Sequence, residues 1–281
     1  VMAAVDYVRL NRAKPGLRLL FVAHRKEILE QSLATFRHAL RQGAFGELWV
    51  GSRSPTHYDH VFASIQSLTA HDIERIDPGH FDVVIVDEFH HACASTYDRL
   101  LNHLQPKELL GLTATPERVD GRSVLEWFEG DIAAELRLWD AIDQHRLVPF
   151  VYWGISDSQD LSKIPWRRGR GYDTGALTNL YTSTQAWANL VIQNVHDKVD
   201  DVEGMCALGF CVSVAHAEFM AHQFNAKGIV AHWLSGSSTT LEREQTLHQL
   251  AMGELRIVFS VDLFNEGFDL PAIDTILFLR P

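Results

Sequence analysis

The sequence predicts an α/β protein made of two similar units, each with a mostly parallel sheet flanked by helices. Short apolar runs alternate with segments of helical spacing along nearly all of the 281 residues. The apolar runs are continuous, which is typical of parallel strands that are covered on both faces. The alternation of strands and helices forms two series, and we therefore expect two domains.

The first series occupies residues 1–143, which we expect to form one domain. Residues 17–23 are predicted to be a buried strand, and the apolar residues of 28–40 recur at helical spacing. A further helix is predicted at 95–104, where Pro106 follows and cannot continue it. The remaining strands of this unit are predicted at 47–50, 60–63, 83–87 and 108–114.

The second series occupies residues 144–281, and the join between the units is expected near 138–150. A short strand is predicted at 151–155, directly after the join. Two helices, 215–228 and 240–253, each end in a glycine, which is typical of a helix C-terminus. The other strands are predicted at 205–213, 229–234, 255–261 and 273–279.

Residues 157–182 differ from the rest of the second unit because they are polar and rich in glycine. We interpret them as an excursion from the domain. Within them, arginines lie between two aromatic residues, in the order Trp166, Arg167, Arg168, Arg170 and Tyr172. Such a loop could follow a phosphate backbone and stack a base. The alternative is a solvated loop with one aromatic side chain held on the surface.

The bulk composition is that of an ordinary globular protein, with 46% hydrophobic and 22% charged residues. No apolar run approaches the roughly 20 residues of a membrane span, and no signal peptide is evident. Cys93, Cys206 and Cys211 are expected to be reduced, which favours a cytoplasmic location. The net charge of −11 argues against bulk attraction to nucleic acid but leaves room for a local basic track.

Two adjacent acids, Asp87 and Glu88, follow the apolar strand 83–86. The carboxyl ends of the strands form the edge at which open α/β sheets bind ligands. Asp87 would hold Mg²⁺ on the phosphates of a nucleotide, and Glu88 would orient and deprotonate the attacking water. The alternative is a strand that ends in two solvated acids.

Six short motifs, read in order, resemble the signature set of superfamily 2 helicases of the DEAD/DEAH type. They lie at 19–31, 62–68, 86–90, 112–116, 207–221 and 257–271. The chain is most similar to bacterial helicase-like proteins that carry a phospholipase-D-like nuclease domain. The resemblance implies two RecA-like lobes with ATP and Mg²⁺ bound between them.

The resemblance also implies roles for individual residues. Gly267 and Asp269 would reach the nucleotide from the second lobe, although this segment could instead be a simple turn. His90, Thr113 and Thr115 would couple the nucleotide state to movement of the lobes. The expected nucleic-acid contacts are His24, Arg25, Ser64, Gln66, Ser213 and Ser260, for each of which helix capping is the alternative.

The residues His90, His91 and Cys93 also raise the question of a zinc site. A typical structural zinc site draws its four ligands from two pairs. The sequence offers no second pair at a suitable spacing, and we therefore expect no zinc.

Two motifs that the resemblance predicts are missing. The sequence contains no G-x-x-x-x-G-K-S/T phosphate loop and no arginine-finger segment after its last strand. We interpret the chain as an excised core and expect these 281 residues alone to hydrolyse ATP negligibly.

The function that we predict from the sequence is an ATP-dependent helicase or translocase acting on nucleic acid, which we expect to be DNA. A nuclease domain in the same parent chain is an expected partner, and a membrane is not. Two alternatives stay open. One is a non-catalytic clamp or scaffold on nucleic acid, and the other is the motor subunit of a restriction or defence assembly.

Overall fold

A computed structural model describes residues 1–70, 73–91, 95–115, 124–157, 159–168, 171–264 and 270–281. The chain divides into two compact units, Val1–Phe150 and Val151–Pro281, which we name the first and the second lobe. None of the helices in the described ranges is long and apolar enough to cross a membrane.

The first lobe is a five-stranded parallel sheet with helices around it. The strand order is β2-β3-β1-β4-β5, and every neighbouring pair is parallel. Its elements are α1 (Met2–Ala13), β1 (Leu19–Ala23), α2 (Lys26–Leu40), β2 (Glu47–Trp49), β3 (His60–Ser64), α3 (Ile65–Ala70), β4 (Val83–Val86), α4 (Ser95–His103), β5 (Glu108–Gly111) and α5 (Leu138–Asp143).

The central strands of this sheet are covered on both faces, as their apolar sequences predict. Leu20 and Val22 of β1 pack into one hydrophobic cluster, while Leu19 and Phe21 pack into another. Successive side chains of a strand point to opposite faces, so these two clusters are the cores above and below the sheet. All strands are parallel, and their carboxyl ends therefore meet at one edge.

The second lobe has a four-stranded parallel sheet with the order β11-β8-β10-β9, and a separate antiparallel ribbon of β6 and β7. Its elements are β6 (Trp166–Arg167), β7 (Gly171–Tyr172), α6 (Thr174–Thr182), α7 (Gln185–Lys198), β8 (Ala207–Phe210), α8 (Val214–Ala226), β9 (Ala231–Leu234), α9 (Thr240–Ala251), β10 (Ile257–Ser260) and β11 (Thr275–Phe278).

Helices α8 and α9 end at the two glycines that the sequence indicated. Gly228 has φ +85° and Gly253 has φ +71°, a conformation that L side chains rarely adopt. The amide of Ile229 donates back to the carbonyl of Phe224, which satisfies one of the last helical carbonyls. Each glycine therefore turns the chain out of its helix toward the next strand.

The prediction of a strand at 151–155 is wrong. These residues have no regular secondary structure, and their side chains are exposed. A strand forms only where a neighbouring strand takes up its backbone hydrogen bonds, and no strand of the described chain pairs with this segment. A short apolar run does not supply that partner.

The segment expected as an excursion, 157–182, contains the β6–β7 ribbon and all of α6. Leu177 and Tyr181 of α6 are buried in the core of the second lobe.

Cys206 and Cys211 are buried free thiols, and Cys93 lies outside the described residues.

Candidate functional site

The acid pair Asp87–Glu88 lies at the carboxyl edge of the first lobe's sheet, directly after β4. The amide of Asp87 donates to the carbonyl of Val22 on the neighbouring strand at 2.9 Å, which continues the sheet by one residue. Both acids are partly exposed, whereas all of β4 is buried. The rigid sheet therefore presents two carboxylates to solvent at its ligand-binding edge.

The backbone at Glu88 has φ +52°, in the left-handed region that glycine favours. A non-glycine residue held there costs about 1–3 kcal/mol. The neighbours hold this conformation: the Glu88 amide donates to Asp87 Oδ1 at 3.0 Å, and the Phe89 amide donates to the carbonyl of Leu112 at 2.8 Å. The turn bends the chain so that residues 88–90 lie beside the end of β5.

A short polar chain links Glu88 to the segment after β5. His90 Nδ1 lies 3.3 Å from Glu88 Oε2 and 3.2 Å from Thr113 Oγ1. The hydroxyl of Thr113 also accepts a hydrogen bond from the amide of Thr115 at 3.1 Å. The structure thus brings the predicted base Glu88 next to the predicted coupling residues His90, Thr113 and Thr115.

Burial and nearby charges shift the pKa values of two groups at the acid pair. Burial raises the pKa of the Asp87 carboxyl, although the Glu88 amide and the nearby His24 act in the opposite direction. Burial, followed by the charges of Asp87 and Glu88, raises the pKa of Tyr97 to about 12. The Tyr97 hydroxyl is buried and has no hydrogen-bond partner among the described residues. Carboxylate oxygen is a ligand that Mg²⁺ prefers, so Asp87 could hold such an ion.

His24 and Arg25 lie between β1 and α2, at the same edge of the sheet. Arg25 occupies the N-cap position of α2 without a side-chain cap, and its Nε donates to His24 Nε2 at 3.2 Å. Gln66 is exposed, and its side-chain amide donates to the carbonyl of His24 at 3.3 Å. The structure thus places three of the predicted nucleic-acid contacts next to one another.

Two of the predicted nucleic-acid contacts are buried serines. Ser64 accepts a hydrogen bond from the amide of Ser67 at 3.1 Å, which is the capping role that the sequence left open. Ser260 ends β10 with none of its surface exposed, and its hydroxyl has no partner among the described residues. In this conformation neither hydroxyl is accessible to a ligand.

Ser213 caps α8 in the second lobe. Its hydroxyl accepts from the amide of His216 at 3.1 Å and from the hydroxyl of Thr178 at 2.8 Å. Ser213 is partly exposed, and the two residues after it, Val214 and Ala215, are exposed. The N-terminus of α8 is therefore open to an anion, as the strand-to-helix pattern predicts.

Five positions used in the sequence argument lie outside the described residues: Cys93, Pro116, Arg170, Gly267 and Asp269. The proposed nucleotide contacts of the second lobe and the H-H-x-C question therefore stay predictions.

Sequence reasoning missed Tyr97 and Thr178. The two residues lie 10 and 35 positions away from their partners Asp87 and Ser213. No spacing pattern connects residues so far apart on different elements. A tyrosine within the helix that follows the acid pair was the only signal available.

Two protein families match separate parts of the chain. Residues 1–118 match the family described as "Type III restriction enzyme, res subunit". Residues 189–281 match the family described as "Helicase conserved C-terminal domain". The first match contains the acid pair, and the second contains Ser213 and Ser260.

Two curated relatives match almost the whole chain. The "51.5 kDa protein" of a Lactococcus phage is 26% identical over 98% of this chain and 55% of its own length. The "Putative ATP-dependent helicase IRC3" of Saccharomyces cerevisiae is 24% identical over 99% of this chain and 41% of its own length. The chain thus spans about half the length of these relatives.

A solved structure has the same fold. The Hef helicase domain of Pyrococcus furiosus superposes with a TM-score of 0.59 at 15% identity, over 100% of this chain and 84% of that one. A likeness at this identity concerns the fold alone. The predicted fold class, two RecA-like lobes with mostly parallel sheets flanked by helices, is confirmed.

Proposed function

We propose that this chain, whose matches and fold support the core of a superfamily 2 helicase, is the motor of an ATP-dependent helicase or translocase acting on DNA. The observation that carries this proposal is the acid pair at the carboxyl edge of the first lobe's sheet. Asp87 and Glu88 are partly exposed there, and a hydrogen-bonded turn fixes their positions.

Glu88 is the proposed general base. It would accept a proton from the water that attacks the terminal phosphate of ATP. The strained backbone at φ +52° supports this role, because strain of this kind is retained mainly where function requires a fixed geometry. His90, 3.3 Å from Glu88 Oε2, would keep the carboxylate oriented.

Asp87 is the proposed ligand of Mg²⁺. The ion would neutralise charge on the nucleotide's phosphates when it is bound. The Asp87 carboxylate suits such a cation because it is partly exposed at the carboxyl edge of the sheet and offers oxygen ligands. We propose that Gly267 and Asp269 also contact the nucleotide.

The chain from Glu88 through His90 to Thr113 is the proposed coupling path. Thr113 holds two polar contacts at once, one to His90 Nδ1 and one to the amide of Thr115. A short hydroxyl with two partners can change its hydrogen bonds when the nucleotide's charge changes. Movement of the loop after β5 would then follow the state of the nucleotide.

Among the predicted nucleic-acid contacts, three accessible ones that lie near strand ends are Arg25, Gln66 and Ser213. Each is at least partly exposed near a strand end, and Arg25 and Ser213 lie at helix N-termini, where backbone amides favour phosphate. Contacts of this kind read the backbone and carry little base information, so we expect weak sequence preference.

Further features of the intact protein belong to the same proposal. We propose a cytoplasmic protein with a phospholipase-D-like nuclease domain in the same parent chain. These features rest on the motif resemblance.

The test is a Glu88→Gln substitution in the intact parent protein, measured as phosphate release with and without DNA. Glutamine keeps the shape of the side chain but cannot accept the proton. We expect turnover to fall by at least 100-fold while ATP and DNA binding persist.

Glu108→Gln is the matched control, because Glu108 is an exposed acid at the opposite end of the same sheet. Turnover of this variant should equal that of the wild type. Equal turnover of the Glu88 variant and the wild type would remove Glu88 from the mechanism.

The missing phosphate-loop motif favours the alternative of a nucleic-acid clamp. The 281 residues by themselves should release phosphate only at background rate, since they contain no G-x-x-x-x-G-K-S/T. The two proposals differ for the parent protein: a clamp binds DNA without any ATPase activity, whereas a motor hydrolyses ATP faster on DNA.

The match of residues 1–118 to a restriction-enzyme family favours the second alternative, the motor of a restriction or defence assembly. Such a motor would use the same acid pair. Co-purification of the parent protein with a nuclease or methyltransferase subunit would distinguish it from a free helicase.

A further inference from the structure

The β6–β7 ribbon carries exposed arginines and an exposed tryptophan that the proposed motor does not use. Trp166 pairs with Tyr172 and Arg167 with Gly171 in antiparallel register, and the ribbon is not part of either parallel sheet. Its base is fixed, because Tyr172 packs against the hydrophobic core and the Asp173 amide donates to the carbonyl of Pro165 at 2.8 Å. The base of the ribbon is thus packed against the second lobe, while the ribbon itself lies outside the sheet of that lobe.

The outer side chains of this ribbon have no structural role in the described chain. Trp166 is 58% exposed although its cross-strand partner Tyr172 is packed into the lobe. Arg167 and Arg168 are exposed, and neither forms a hydrogen bond or ion pair with a described residue. Exposing a large indole is unfavourable in water, and two neighbouring guanidinium groups repel each other, so this arrangement does not serve stability.

The ribbon also lies close to a proposed nucleic-acid contact of the same lobe. It leads directly into α6, where Asp173 caps the helix and Thr178 donates to the Ser213 hydroxyl at 2.8 Å. Five helical residues rise about 7.5 Å, so the base of the ribbon is about that far along α6 from Thr178. One strand of nucleic acid could therefore contact both Ser213 and the ribbon.

We infer that the ribbon binds single-stranded nucleic acid, with Arg167 and Arg168 on successive phosphates and Trp166 stacked on a base. This inference rests on the proposed function and adds to it a contact surface that no motif of the helicase core supplies. A local pair of arginines is effective in a chain of net charge −11 because screening limits each contact to about 10 Å. Stacking on the indole tolerates any base, as a translocating motor requires.

The experiment measures equilibrium binding of the 281-residue chain to a fluorescent single-stranded oligonucleotide by anisotropy, over a series of salt concentrations. For the double variant Arg167→Gln and Arg168→Gln, we expect affinity to fall on the order of tenfold. The slope of log affinity against log salt should become shallower by about 1 to 1.5, because two phosphate contacts are lost.

For Trp166→Ala, we expect affinity to fall roughly 5- to 100-fold with the salt slope unchanged, since stacking releases no counterions. Trp166→Phe should recover part of the loss. The matched control is Arg9→Gln with Arg12→Gln, which removes two exposed arginines from α1 and should leave both affinity and slope unchanged. Circular dichroism melts of each variant check that the fold is retained.

Three outcomes would overturn the inference, and they differ in what else they reject. If the wild-type chain binds the oligonucleotide and the ribbon variants bind it equally well, the ribbon is not a contact and the proposed function stands. If the wild-type chain binds no nucleic acid, the proposed function fails together with the ribbon. Equal competition by poly-aspartate, with no effect of Trp166→Ala, would show a general anion surface and also reject the inference.

Discussion

At the scale of single residues, one position has a strained backbone and another has a tightly packed, buried ring. Glu88 holds a left-handed backbone that glycine would adopt without strain. His216, in contrast, is completely buried in the second lobe. Its ring packs against the rings of Tyr181 and Trp187, at centroid distances of 5.3 and 5.2 Å.

The buried His216 should make the second lobe sensitive to acid. Burial lowers the pKa of His216 to about 4 from an ordinary value of 6.5, so the folded lobe favours the neutral ring. Its stabilising contribution is present above pH 6.5 and is lost as the pH falls toward 4. We expect a loss on the order of 3 kcal/mol in the free energy of unfolding, measured by denaturant titration at several pH values.

His216→Phe should flatten this pH dependence, because phenylalanine keeps the ring packing but does not titrate. His222→Phe on the same helix is the control, since His222 is mostly exposed and should leave the wild-type profile unchanged. An identical acid sensitivity in the His216 variant would show that another group is responsible.

At the scale of elements, a glycine in one strand leaves room for an aromatic ring of the neighbouring strand. Gly209 lies in the middle of β8, where a Cβ would overlap the ring of Phe259 on the neighbouring β10. Phe259 in turn packs edge-on against Phe224 of α8, with ring centroids 5.0 Å apart. The absence of a side chain at Gly209 thus allows β10 and α8 to pack.

Gly209→Ala should therefore destabilise the second lobe by about 1–3 kcal/mol through overpacking. Thermal unfolding measures the effect, with Gly236→Ala as the control because a Cβ at Gly236 meets no atom within 4 Å. Equal melting temperatures for the two variants would mean that Phe259 moves aside without cost.

At the scale of the whole molecule, the two lobes are connected by a stretch of chain that packs poorly. Residues 148–157 have no regular secondary structure and are exposed. Trp139 and Phe150 stack on each other at 5.8 Å but remain 66% and 55% exposed. Each lobe has its own hydrophobic core, so this stretch contributes little to either.

Limited digestion with chymotrypsin should therefore cut first within residues 150–153. Phe150, Tyr152 and Trp153 are between 55% and 75% exposed, and cleavage requires an exposed, irregular backbone. Mass spectrometry of the earliest products identifies the site. Replacing the three residues by serine should slow the first cut, and a first cut inside a helix or strand would contradict the expectation.

The sequence alone determined the fold class, most strands and helices, and the place of the acid pair. These features follow from local patterns, because continuous apolar runs specify buried strands and glycines specify helix ends. It failed at residues 151–155, where the pattern of a strand is present but no strand in the described part of the chain pairs with it.

Only the tertiary structure decided which side chains meet. The left-handed turn at Glu88, the contact of His90 with Thr113 and the burial of Ser64 and Ser260 depend on elements that are distant in sequence. Burial and hydrogen-bond geometry are properties of the packed chain, since they arise when separate elements exclude water together. A local pattern can place a residue at a strand end, but its neighbours determine whether that residue faces a ligand or the core.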